Sequence, residues 1–218
     1  MASFLHDELV NSGPVATAMR IMRAFVRSID RYLRKRFDIF EYSTDSTCIF
    51  RIRIGHTERD LALPDQTVAA GEPVLELHFW NEHLPPVPEG GHNMRWAVGL
   101  RRVLMGSCRM LAAHLEEDPR LAESRAVGGI TPLFAAGDGS GWERIFTRLG
   151  FVMQPHQNPS GRFVEFWERV YAWMVMRTFA VGSGASPKLA SIRRTNFWIS
   201  RDDFLRRYGN ASAGAKPP

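Results

Sequence analysis

Cysteine is nearly absent: Cys48 and Cys108 are the only two in 218 residues, and neither sits in a CxxC or Cys/His spacing. Nothing suggests a disulfide framework or a structural zinc, and two reduced, buried thiols are expected. Lysine is also scarce. Lys35, Lys188 and Lys216 are the only ones among 28 basic residues, so the formal charge of +5 rests on arginine. That excess suits anionic partners in general, and composition does not choose among them. Apolar runs are short, residues 170–176 being one of the longest, against the ~20 residues that a bilayer-spanning helix needs. No integral membrane protein is expected. Residues 1–8 carry neither the basic start nor the long apolar stretch of a signal peptide, which points to a cytoplasmic location.

What is present is an ordinary 44% of hydrophobic residues, enough for a real core, set in helical and extended periods. The Asn11-Ser12-Gly13-Pro14 breaker sets off residues 1–14 as a leader. Beyond it, Met19, Met22, Val26, Ile29, Leu33 and Phe37 recur at steps of three and four and predict a helix starting near Val15 with that face buried. Arg20, Arg23, Arg27, Arg31 and Arg34 fall on the opposite side within an arc of about 80°, a single basic stripe. Residues 48–54 alternate apolar and basic side chains, and 74–80 place Leu75, Leu77 and Phe79 on one face with Glu76, His78 and Trp80 on the other, so both predict strands. Further strands are expected at 60–63, 126–134, 151–154 and 196–200. Helices are expected at 93–115, 142–149, 163–179 and 201–208, with Gly150 as a C-cap. Glycine makes 137–141 and 182–187 loops, and 209–218 is too polar to order itself. The sum is one α+β domain over 15–208, a central mixed sheet flanked by helices, in which strands 74–80, 126–134 and 151–154 are neighbours.

The words Val74-Leu75-Glu76-Leu77-His78-Phe79-Trp80-Asn81-Glu82, Gly128-Gly129-Ile130-Thr131, Leu149-Gly150-Phe151 and Ile199-Ser200-Arg201-Asp202-Asp203-Phe204-Leu205-Arg206-Arg207-Tyr208 resemble the bacterial YkoP-like domain family over roughly residues 38–208. The resemblance implies a domain that occurs alone or joined to polysaccharide deacetylase domains. It points to an accessory or binding component in envelope polysaccharide or lipid-linked metabolism, and it carries over no catalytic residue. The order of elements is similar to that of the GCN5-related acyltransferases, and Phe146-Thr147-Arg148-Leu149-Gly150-Phe151 resembles their helix-to-strand motif. This second resemblance implies a divergent acyltransferase-like fold and, as an alternative function, a CoA-dependent acyltransferase. Its CoA turn needs an Arg or Gln and then two small residues at fixed spacing, so that backbone N–H groups face a pyrophosphate. Arg95-Trp96-Ala97-Val98-Gly99-Leu100 offers Arg95 and Gly99 as cofactor candidates, but with one residue too many before Gly99 and a bulky Leu100 after it. Weak or absent CoA binding is expected, and no cofactor.

Chemistry-bearing side chains gather between residues 76 and 92. Glu76 and His78 form an acid/base pair if their strand face lines a cleft, and an ordinary exposed face if it does not. Glu82 and His83, with His92 across a proline loop, have the chemistry of zinc ligands, yet they lie beyond the end of the strand that holds His78. Neither HxH nor HExxH occurs, so no metal site is expected. Gly137 to Gly141 match a phosphate loop only in glycine, since no Lys-Ser/Thr follows and Asp138 repels phosphate. The arginine stripe reads either as a solvated helix face or as an anion-binding surface for an anionic membrane or polymer. Nucleic acid is not expected, because no helix-turn-helix, zinc-finger or RNA-binding aromatic signature accompanies it. The residues leave open whether the chain is an enzyme.

Overall fold

The structure, a computed structural model, describes residues 14–86, 88, 93–131, 141–155, 170 and 194–209. Helix α1 spans Pro14–Arg36, followed by β1 (Phe50–His56), a small hairpin of β2 (Leu61–Ala62) with β3 (Thr67–Val68), and β4 (Pro73–Phe79). Helix α2 (Met94–Glu117) leads to β5 (Ala126–Thr131) and α3 (Gly141–Arg148) to β6 (Val152–Pro155), while β7 (Thr195–Ser200) runs directly into α4 (Arg201–Tyr208). Apart from β3, which no periodicity predicts, these are the predicted elements, shifted by a few residues at their ends. The leader up to residue 13, the glycine loop through residue 140, the helix predicted over 163–179 except residue 170, the loop at 182–187 and the tail beyond 209 lie outside the described residues. None of the described helices is long and apolar enough to cross a membrane.

Five strands make one mixed sheet in the order β1-β4-β5-β7-β6. β1 runs antiparallel to β4 from Phe50↔Phe79 to His56↔Pro73, and β4 runs parallel to β5 at Leu75↔Val127 and Glu76↔Gly128. β7 is antiparallel to both β5 and β6. The strands predicted at 74–80 and 126–134 are therefore neighbours, but the one predicted at 151–154 is not beside them, because β7 is inserted between. The reason lies in β5. β7 pairs along its whole length, from Ala126↔Ser200 to Thr131↔Thr195, and Gly128 leaves the room that Trp198 fills. A Cβ on Gly128 would lie 2.6 Å from the indole and against the Phe197 carbonyl.

Alternation sorts the two faces of the sheet. Phe50, Ile52, Leu75, Leu77, Val127, Phe197 and Ile199 are buried against Leu100, Leu104, Leu111 and Leu115 of α2, Phe146 of α3 and Phe204 of α4. Each such side chain contributes about 1.5–3 kcal/mol by leaving water. Phe146, Phe151 and Phe197 pack with ring centroids 4.9–5.6 Å apart. Gly150 closes α3 at φ +94°, as a C-cap glycine should. Cys48 and Cys108 are free and fully buried, as expected.

Helix α1 departs from expectation. Ile29 and Leu33 are only half-buried, Phe37 is 45% exposed, and none of the three belongs to a core cluster. The physical reason is that β1 turns a buried charged side chain, Arg51, towards Asp30 of the helix, and sets Arg53 beside the Phe37 ring just past its end. Buried Arg51 reaches Asp30 at 3.2 Å and Glu41 at 3.3 Å, and Arg34 reaches the same two carboxylates at 3.3 and 3.0 Å. Charge therefore joins α1 to β1 where apolar burial was predicted.

Gly128→Ala should destabilise the domain by about 1–3 kcal/mol, the usual cost of over-packing, read as a lower urea midpoint at unchanged m. An unchanged midpoint would mean that β7 does not depend on the glycine.

Candidate functional site

The same alternation that buries Phe50 and Ile52 turns Arg51 and Arg53 to the sheet face away from α2, and that which buries Leu75 and Leu77 turns Glu76 and His78 to it. Register then sets Arg53 across from Glu76 and Arg51 across from His78. On the far side of Glu76 lies Gly128, and beyond it Trp198, whose indole overlies the glycine. One row, Arg53, Glu76, Gly128 and Trp198, thus crosses four strands. Ile130, 40% exposed, stands two residues further along β5 on the same face.

Arg53 Nη2 donates to both Glu76 oxygens at 2.6 Å and its Nε donates to Oε2 at 3.1 Å. Gly55 makes this possible, since a Cβ there would overlap the carboxylate. His78 Nε2 lies 3.7 Å from Glu76 Oε2 and, among the described residues, has no hydrogen-bond partner. Burial works against an ionised Glu76, but the polar interaction with His78 and the hydrogen bonds and charge of Arg53 outweigh it, so the carboxyl stays below the usual glutamate range. Glu76 and His78 are brought together as expected. A carboxylate locked by a guanidinium is, however, a weak base, which disfavours a general-base role near neutral pH.

The other candidates do not converge. His83 stacks on Trp80 with centroids 3.8 Å apart, and its Nδ1 donates to the Cys48 carbonyl at 2.7 Å, while Glu82 is exposed. Trp80 also takes the Arg51 guanidinium, 4.2 Å from its ring. His92 lies outside the described residues, and among those described no group of His, Cys, Asp and Glu is placed to hold a metal ion. Burial pushes the Cys108 thiol far up, which keeps it from acting as a nucleophile.

Arg95 and Gly99 lie inside α2 instead of in a turn before it. Arg95 is exposed and Gly99 has open space around it. The helix start is already occupied by protein groups: the Asn93 side chain accepts the Trp96 N–H, and Trp96 Nε1 donates to the Pro85 carbonyl at 3.3 Å. Of the stripe, Arg20 and Arg23 lie on α1, Arg27 and Arg31 are exposed, and Arg34 is turned into the ion pairs with Asp30 and Glu41.

Sequence reasoning missed Arg53 and Trp198 as members of the site, and Arg51 as its neighbour. The usable signal was that Arg51 and Arg53 alternate with Phe50 and Ile52 just as Glu76 and His78 alternate with Leu75 and Leu77. The fold and site together define an α+β domain with a charged, tryptophan-bounded sheet face. The family model of the YkoP domain matches residues 19–208, and the chain belongs to that family. No curated protein and no solved structure matches it.

The lowered Glu76 pKa fixes the sign of an acid effect. The stability it contributes is present above the ordinary value of 4.5 and is lost as pH falls through the lowered folded value. Glu76→Gln should therefore cost about 1–2 kcal/mol in urea unfolding at neutral pH, a deficit that narrows as acid protonates the wild-type carboxylate. A deficit that stays constant through acid pH would assign the loss to packing instead of to charge.

Proposed function

We propose that this chain is a non-catalytic binding component of bacterial envelope polysaccharide metabolism, taking a saccharide on the sheet face that carries Arg53, Glu76, His78 and Trp198. The observation that carries the reading is Trp198 lying over Gly128 beside the Arg53–Glu76 pair. A sugar ring has an apolar face and a rim of hydroxyls, and this surface offers an indole to the one and charged donors and acceptors to the other. The guanidinium lock on Glu76 favours holding a ligand over moving a proton. The family resemblance, which implies a domain that occurs alone or joined to polysaccharide deacetylase domains, supports a saccharide as ligand. A cytoplasmic setting belongs to the same proposal, and the free, buried Cys48 and Cys108 suit a reducing compartment.

The rival reading is a CoA-dependent acyltransferase on a divergent acyltransferase-like frame. The order of elements from β4 to Leu149-Gly150-Phe151 favours that frame. The self-capped start of α2 disfavours a pyrophosphate there, because the Trp96 amide is already taken.

Titration with an N-acetylglucosamine oligosaccharide should shift the Trp198 indole resonance saturably, and Glu76→Gln should weaken the binding about tenfold, as loss of a charged hydrogen-bonding group does. Acetyl-CoA should give no binding heat in calorimetry. Micromolar acetyl-CoA binding with a silent Trp198 would overturn the proposal and favour the acyltransferase.

A further inference from the structure

Helix α1 is built unlike the rest of the domain. Its sequence, PVATAMRIMRAFVRSIDRYLRKR, holds seven basic residues against one acid, Asp30. Among its described side chains the contact with β1 is ionic, Asp30 with Arg51, and Arg34 pairs with Asp30 and with Glu41 beyond the helix. Two of its large apolar side chains face outward, Ile21 at 66% and Tyr32 at 67% exposure. At ~100° per residue, Arg27, Arg31, Lys35, Ser28, Ile21 and Tyr32 follow one another around an arc of about 140°. All six are exposed.

We infer that α1 docks the domain onto an anionic phospholipid surface, with Ile21 and Tyr32 entering the interface and Arg27, Arg31 and Lys35 on the headgroup phosphates. A basic edge beside an apolar edge on one outward face is the arrangement of a helix lying in the plane of a bilayer. The long basic side chains reach back to the headgroups while the apolar edge settles below them. A soluble polyanion would use the basic edge alone, whereas a bilayer covers both edges at once. This inference goes beyond the saccharide reading and does not depend on it, because α1 and the Trp198 face use different residues.

The test is sedimentation of the full chain with vesicles of mixed phosphatidylcholine and phosphatidylglycerol, against pure phosphatidylcholine, at low and at physiological ionic strength. Wild type should bind the anionic vesicles only, and less at higher salt. Each basic residue at such a surface strengthens binding about fivefold, so Arg27→Glu with Arg31→Glu should weaken it at least about 25-fold. Ile21→Ser with Tyr32→Ser should weaken vesicle binding about tenfold or more yet leave binding to heparin, a soluble polyanion, unchanged. Thermal unfolding should be nearly unchanged in both variants, since the substituted side chains are exposed. Failure of the wild type to sediment with anionic vesicles would overturn the inference. So would undiminished vesicle binding by the Ile21/Tyr32 variant, which would reduce the helix to a polyanion stripe.

Discussion

The parallel pairing of Leu75 and Glu76 with Val127 and Gly128 is the constraint on which the rest of the domain depends. Parallel neighbours cannot be joined by a tight turn, so the chain must cross over the sheet, and α2 is that crossover. Its Leu100, Leu104, Leu111 and Leu115 commit one face of the sheet to the core, and the apolar halves of β1, β4, β5 and β7 follow. What alternates with them has to point the other way. At the start of β4 that second face is also closed, by Val74 and Ala126 packing with Leu61 and Val68 of the small hairpin. Two residues further on the residue types change to Glu76 and His78, opposite Arg53 and Arg51. The candidate site thus begins where the hairpin cluster ends, with Trp198 packed against that cluster at the border.

Two arginines on one face of one strand set an electrostatic problem, and the fold solves it by dividing them. Arg53 is held between β1 and β4 by Glu76, while Arg51 is turned to Asp30 of α1, Glu41 and the Trp80 ring. A guanidinium as buried as Arg51 is costly without such partners, because burial removes its water. Register fixes the division, because Glu76 lies across from Arg53 and His78 across from Arg51.

Much of this was legible in the sequence, because the relevant periods are local. The alternations around Ile52 and Leu77 and the helical spacing from Leu100 to Leu115 each reflect one element meeting one apolar surface. The co-facing of Glu76 and His78 was legible for the same reason. What was not legible depends on register between distant segments. Arg53 meets Glu76 across an intervening hairpin, and Trp198 reaches Gly128 from a strand that arrives some seventy residues later in the chain. The misplacement of β6 has this origin too: a short connection suggests adjacency, but only pairing energy decides it, and Gly128 gives that place to β7. On α1 the described part of the apolar period, Ile29 and Leu33, stays half-buried beside the buried Arg51 of β1, a fact that no helical periodicity contains.

One residue belongs both to the attachment of α1 and to its basic stripe. Arg34 lies 3.3 Å from Asp30 and 3.0 Å from Glu41, and it also continues the row of Arg27 and Arg31. An anionic surface drawing on that row competes with the two carboxylates for Arg34. Arg51 would not enter that competition, because it is buried on β1 and has its own contacts with Asp30 and Glu41. The two carboxylates would then keep a cation, and the helix its contact with the sheet, on an anionic surface such as the one inferred above. Half-exposed pairs such as those of Arg34 are weak and screened by salt, whereas the Arg51 contacts are shielded by burial. This ordering, a buried arginine that anchors and a more accessible one beside it, would let the outer face of α1 meet the surface inferred above without loosening the sheet beneath it.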